Sequence, residues 1–104
     1  MGLRRGAVFF VNFGNLGPKP VVVVSNHQRN SAFGDALAAR ITTTKKVPRR
    51  SVVELSDQDP VAGSVLCDDI TTIYPDELSA PAGYLSPATM SRVAEGLKAT
   101  FAIP

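Results

Sequence analysis

The chain is poor in the residues that mark many catalytic and structural sites. It has one cysteine, one histidine and no tryptophan. A lone Cys67 excludes an intrachain disulfide and points to a reducing compartment. His27 and Cys67 lie forty residues apart, and the carboxylates show no ligand spacing, so no metal site is expected. There is no P-loop, no Gly-x-Gly-x-x-Gly and no nucleophile elbow. Long hydrophobic runs are also missing. The longest, Ala7 to Val11 and Pro20 to Val24, are far too short to span a bilayer, and no membrane partner is expected. Met1-Gly2-Leu3-Arg4-Arg5 opens like a secretory leader, but Asn12 cuts the apolar stretch and no small-residue cleavage site follows. The expected location is the cytoplasm.

What is present is ordinary globular composition, 44% hydrophobic and 19% charged over 104 residues. That length supports a single domain, residues 1–104, with a modest core that oligomerisation would reinforce. The net charge of +2 conceals a division. Residues 1–50 hold nine Lys/Arg against one acid, Asp35, for a net +8. Residues 51–104 hold two bases against eight acids, for a net −6. A basic half fits a polyanion or an acidic protein; a solvated basic face is the other reading.

Residues 6–13 are rich in strand formers and predict a first strand. Gly14 to Pro18 is turn chemistry. Pro20 to Ser25 is a β-branched run that reads as a strand buried on both faces. Asn26 to Gly34 is polar, with room for a helical turn, and Ala36 to Thr42 predicts a third strand. Lys45-Lys46-Val47-Pro48-Arg49-Arg50 is a basic loop. Val52 to Leu55, Ser64 to Cys67 and Ile70 to Ile73 read as short strands, the last two flanking Asp68-Asp69. On a strand those two carboxylates would face opposite ways, so only one could enter a site. Ser86 is an N-cap with Pro87 at the first helical position. Met90, Val93, Ala94, Leu97 and Phe101 then fall on one helical face, and Arg92, Glu95 and Lys98 on the other. Strands followed by one terminal helix predict a small, mostly β barrel with helical additions.

Cys67 sits in Val65-Leu66-Cys67 and reads as a buried small hydrophobe. His27 reads as a solvated loop residue. Thr42-Thr43-Thr44 beside four cations combines the groups that position phosphates; the alternative is a solvated turn capped by threonine.

Several segments resemble the MazF/PemK (Kid) toxins of bacterial toxin–antitoxin pairs. They are Arg5-Gly6 before an aromatic-rich strand, Gly17-Pro18-Lys19-Pro20 running into Val21 to Asn26, Ala39-Arg40-Ile41-Thr42, Val65 to Ile70 around Cys67-Asp68, and Leu85-Ser86 before an amphipathic helix with Met90. Their order and spacing span almost the whole chain. The resemblance implies a mostly β fold with α: a small SH3-like barrel, shared with the gyrase poison CcdB, with a C-terminal amphipathic helix. It implies a homodimeric, sequence-specific, metal-independent endoribonuclease acting on single-stranded RNA without a cofactor. Its partner would be a MazE-like antitoxin whose acidic tail covers the RNA groove.

Carried over by position, the family's catalytic arginine falls on Lys19, its strand-ending threonine on Thr42 and its proposed base on Asp68. Further RNA-contacting places fall on Thr43, Arg49, Ser51 and Ser64, and the basic loop adds Lys45, Lys46 and Arg50. Lys19, Ala7, Leu66 and Thr71 depart from the family's residues, and Lys19 keeps the charge without the guanidinium fork. RNA carries its own nucleophile, the 2′-hydroxyl, so positioning and preorganised charge suffice for cleavage. Two other classes remain open: a non-catalytic CcdB-like gyrase inhibitor, for which Phe101-Ala102-Ile103-Pro104 would be the contact tail, and a non-catalytic nucleic-acid-binding barrel.

Overall fold

The computed structural model describes residues 2–104; Met1, the first residue of the leader-like opening, lies outside them. Six strands and two helices follow in the order β1 (Ala7–Asn12), β2 (Pro18–Val23), α1 (His27–Phe33), β3 (Ala36–Thr42), β4 (Val52–Glu54), β5 (Ser64–Ile73), β6 (Leu78–Tyr84) and α2 (Pro87–Phe101). The strands form one antiparallel sheet ordered β4-β5-β3-β2-β1-β6. The class is mostly β with a C-terminal helix, as expected.

The expected ring closure is not made by ladder hydrogen bonds, because β4 and β6 are the two edges. β4 is three residues long. β6 carries Pro81, which has no N–H to donate and lies opposite Phe9 beside a register shift. A side chain spans the gap instead. Asp59, in the loop after β4, accepts from the Ser86 backbone N–H at 2.8 Å, just beyond β6. The same carboxylate accepts from the Ser56 N–H at 2.8 Å and from the hydroxyls of Ser56 at 3.0 Å and Thr89 at 2.7 Å. Burial by itself would raise the Asp59 pKa; these four hydrogen bonds outweigh it and bring the pKa down to about 2.

Both faces of the sheet are packed. Val8, Val22, Ala39, Ile41, Val53, Val65 and Cys67 face α2, which contributes Val93, with Met90 and Leu97 packed against the same cluster. Ala7, Phe9, Val11, Val21, Val23, Ala36, Ala38 and Ile73 form the other cluster, flanked by Leu3, Phe13 and Leu78. Val21, Val22 and Val23 are fully buried, so β2 is covered on both faces. The period-2 alternation of β1, β2 and β3 sorts their residues between the two clusters. In β5 the ladder jumps: Ala39 pairs with Ile70, but Arg40 pairs with Leu66. Residues 67–69 therefore bow out as a bulge, which sends Cys67 to one face and Ile73 to the other. What reads as two strand segments is one bulged strand, with Asp68-Asp69 in the bulge.

Helix α1 starts at an Asn26 cap, whose side chain accepts from the Arg29 N–H at 2.8 Å, and ends at Gly34 with φ 72°. Helix α2 has the expected Ser86 cap and Pro87. It approaches β5 closely at Gly96, where a Cβ would lie 2.7 Å from Cys67 Sγ. Phe101, expected on the buried face, is instead 59% exposed at the helix end.

Candidate nucleic-acid interface

Strand β2 begins at Pro18, so Lys19 lies within the strand rather than in the turn. On one side β2 pairs with β1 along its length, Val11 facing Lys19. On the other side its ladder with β3 ends at Val21↔Arg40. Pro18 and Pro20 have no N–H to extend that ladder. β2 and β3 therefore part beyond Val21, and a cleft of about 270 Å³ opens between Pro18–Pro20 and Arg40–Thr44. Lys19 and Thr42 both line it, with Arg40, Thr43 and Thr44.

The alternation of the sheet explains why polar groups converge there. Ala36 and Ala38 are buried on one face of β3, and Arg40 and Thr42 continue the same face. Val21 and Val23 do likewise on β2, with Lys19 two residues before Val21. A buried apolar face thus runs out at its end into a cationic, hydroxyl-bearing one. Thr42 also pairs with Ser64 on β5, which pairs with Glu54 on β4. The Thr42 hydroxyl accepts from the Thr44 N–H at 3.1 Å, a local turn bond that leaves its own O–H free to donate.

A second cleft, of about 350 Å³, shares Thr42, Thr43 and Thr44 with the first. It adds Lys45, Ser64 and the loop residues around Ser56. A third, of about 440 Å³, is lined by Arg49, Arg50, Ser51 and Asp68 with Ala99 and Thr100 of α2. Lys46 is exposed in the loop between the second and third clefts. Ser51 is fixed to β5 because its carbonyl accepts from the Cys67 N–H at 2.8 Å.

The structure therefore joins Lys19, Thr42 and Thr43, and extends from them to Lys45 and Ser64. It places Asp68 apart. Asp68 lines the third cleft, and its carboxylate pairs with Arg49 at 3.4 Å, both side chains being about half exposed. Arg40 was not singled out from the sequence, yet it lines the cleft with Lys19 and Thr42. Its signal was its place two residues before Thr42, the strand period that puts both on one face.

Cys67 is fully buried, its Sγ 3.8 Å from the Val93 carbonyl. Burial, reinforced by the charge of Asp68, pushes its thiol up to about 11, so it is a packing group and not a nucleophile. His27 is exposed at the start of α1. Among the described residues no three His, Cys, Asp or Glu side chains are grouped to hold a metal ion. No helix among them is long and apolar enough to cross a membrane.

Comparison with known proteins bears on the chain as a whole. The chain is 37% identical over 101 residues to "Endoribonuclease MazF1" of Mycobacterium bovis, spanning 96% of this chain and 93% of that protein. The same figures hold for "Endoribonuclease MazF4" of Mycobacterium tuberculosis. A solved mycobacterial endoribonuclease in complex with its cognate antitoxin superposes with a TM-score of 0.91 at 36% identity, over 97% of this chain and 96% of that one. The family model described as the PemK-like, MazF-like toxin of type II toxin–antitoxin systems matches residues 4–101, and the chain belongs to that family.

Proposed function

We propose that this chain is an endoribonuclease toxin that cuts single-stranded RNA by attack of the RNA's own 2′-hydroxyl, with no metal ion. It acts in the cytoplasm as a homodimer and is neutralised by an acidic, MazE-like antitoxin. The observation that carries this reading is the cleft where β2 and β3 part, lined by Lys19, Thr42 and Thr43. The relatives named as endoribonucleases, and the one solved with its antitoxin, support it from outside the chain.

In the reaction the 2′-oxygen bonds to phosphorus and the bond from phosphorus to the 5′-oxygen breaks. The proton lost by the 2′-hydroxyl is balanced by one gained at the leaving 5′-oxygen. Charge accumulates on the non-bridging phosphate oxygens in the transition state. The Lys19 ammonium stabilises that charge, and the Thr42 hydroxyl donates to one of the same oxygens. Thr43 and Ser64, with the basic residues Lys45, Lys46, Arg49 and Arg50, hold the flanking strand by its backbone. Single strands suit the site because their base edges are free to be read. The base role expected for Asp68 finds no support in its position: it is away from the Lys19–Thr42 cleft and engaged by Arg49. Orienting Arg49 toward RNA suits it better.

The test is incubation with a long single-stranded RNA in EDTA, followed by mapping of the product ends. The expected products are a 5′ fragment ending in a 2′,3′-cyclic phosphate and a 3′ fragment starting with a 5′-hydroxyl. A 2′-deoxy substitution at the scissile nucleotide should block cutting. Cutting that persists past that substitution, or that requires magnesium, contradicts the mechanism.

A further inference from the structure

We propose that Arg40 is a second phosphate-gripping cation of the cleft, parked on Asp69 while RNA is absent and transferred to an RNA phosphate on binding. The inference rests on the RNA-cleaving reading of the Lys19–Thr42 cleft.

The register places the two cations together. Arg40 is directly opposite Val21, and Lys19 is two residues from Val21 on the same strand. Lys19 and Arg40 therefore lie on one face of the sheet, on the two strands that part just beyond Val21. Both line the cleft that opens there, and two long cationic side chains facing one cleft can converge on one phosphodiester. Their chemistries are complementary. A lysine offers a compact point charge, whereas arginine offers a planar fork that binds two phosphate oxygens at once. With lysine at position 19, Arg40 supplies the fork from the neighbouring strand.

The state of Arg40 separates it from the structural arginines. Arg29 is tied down: its Nη1 pairs with Asp35 at 2.6 Å, with side chains 27% and 17% exposed, and also donates to the Asp35 carbonyl at 3.1 Å. Arg92 donates to the Glu54 carbonyl at 2.8 Å and to the Thr89 hydroxyl at 3.2 Å. Arg40 instead has one side-chain partner among the described residues, Asp69 Oδ2, 3.0 Å from its Nη1. That pair is 45% and 41% exposed, the setting in which an ion pair is weak and readily exchanged. Asp69 sits in the β5 bulge, where no ladder pairing to β3 fixes it. An incoming phosphate meets a guanidinium held by a weak, solvent-screened carboxylate rather than by buried structure.

The experiment compares Arg40→Ala, Arg40→Lys, Asp69→Asn and Lys19→Ala on an RNA oligonucleotide carrying the mapped cleavage site. Single-turnover cleavage is measured at saturating RNA. Binding is measured on the same oligonucleotide with a 2′-deoxy scissile nucleotide. Melting temperatures are recorded alongside. Arg40→Ala is expected to cut roughly 100-fold slower without a lower melting temperature, the scale of losing one preorganised contact to developing charge. Arg40→Lys should recover less than a tenth of the wild-type rate, because the fork is gone. Asp69→Asn should bind RNA several-fold more tightly. Wild-type cleavage and binding by Arg40→Ala, full rescue by Arg40→Lys, or loss of cleavage in Asp69→Asn equal to that in Arg40→Ala would each overturn the inference. If Lys19→Ala abolishes cutting and Arg40→Ala does not, the role of Arg40 alone falls. If Lys19→Ala cuts as the wild type does, the reading of the whole cleft falls with it.

Discussion

Replacing Asp59 by Asn tests how the open sheet is held. The substitution keeps the shape but turns one acceptor oxygen into an N–H donor. Oδ2 accepts three hydrogen bonds, from the Ser56 N–H and the Ser56 and Thr89 hydroxyls, while Oδ1 accepts from the Ser86 N–H. An amide can keep the first set only by turning its NH₂ toward the Ser86 N–H, which leaves two donors facing each other. Thr89 is fully buried, so the opposite orientation is also costly. The native pKa is about 2 against the ordinary 3.8, a shift that corresponds to about 2 kcal/mol of stability from the ionised form. Because the folded-state pKa is depressed, that stability is fully present above about pH 4. It is lost as the pH falls toward 2. For a chain of this size about 2 kcal/mol amounts to a melting temperature lower by roughly 10 °C. Thermal unfolding by circular dichroism from neutral pH down to about pH 2 is the assay. The two proteins should differ by that margin at neutral pH and converge at the acid end. Equal melting temperatures at neutral pH, or a difference unchanged by acid, would refute the reasoning.

Other consequences follow from the packing and the charges. Gly96→Ala should destabilise the fold by about 1–2 kcal/mol despite the better helix propensity of alanine, because the new Cβ meets Cys67 Sγ at 2.7 Å and the Arg50 carbonyl at 3.3 Å. Adding Cys67→Ala should recover part of that loss, and melting curves of the single and double variants measure the coupling. Binding of single-stranded RNA should weaken by roughly 0.7 log units per log unit of salt for each phosphate neutralised. Arg49→Ala with Arg50→Ala should flatten that slope in a titration, and an unchanged slope would place the RNA elsewhere.

The parts of the fold legible in the sequence are those where local chemistry and tertiary packing agree. Helix α2 announces itself through Ser86, Pro87 and the spacing of Met90, Val93 and Leu97, and β2 through its valine run. Strand β6 was not legible. Leu78-Ser79-Ala80-Pro81-Ala82-Gly83-Tyr84 has no β-branched residue and contains a proline, and only its pairing with β1 makes it a strand. Closure of the sheet was not legible either, since it depends on whether two edges meet. For the candidate site, the residue types around Thr42 and the basic loop could be read, but their partition into three clefts could not. Lys19 reads as a turn residue until the strand is seen to start at Pro18. The strand period could put Arg40 on the face of Thr42, but its place opposite Val21 and beside Lys19 came only from the register. The bulge that holds Asp68 and Asp69 out of the ladder has no signature beyond two adjacent acids.

The most direct test of the account separates catalysis from folding at the cleft between β2 and β3. Lys19→Ala, Thr42→Ala and Val22→Ala are compared by melting temperature, oligomer mass and single-turnover rate on single-stranded RNA. Lys19 is exposed and Thr42 half-buried at the strand end, so their removal should change stability by less than about 1 kcal/mol. Each should slow cleavage by roughly 100-fold or more. Val22 is fully buried between the sheet and α2, so its truncation should lower the melting temperature while each folded molecule still cuts. Wild-type cutting by both Lys19→Ala and Thr42→Ala would contradict the account, because the cleft that carries it would then have no part in the reaction.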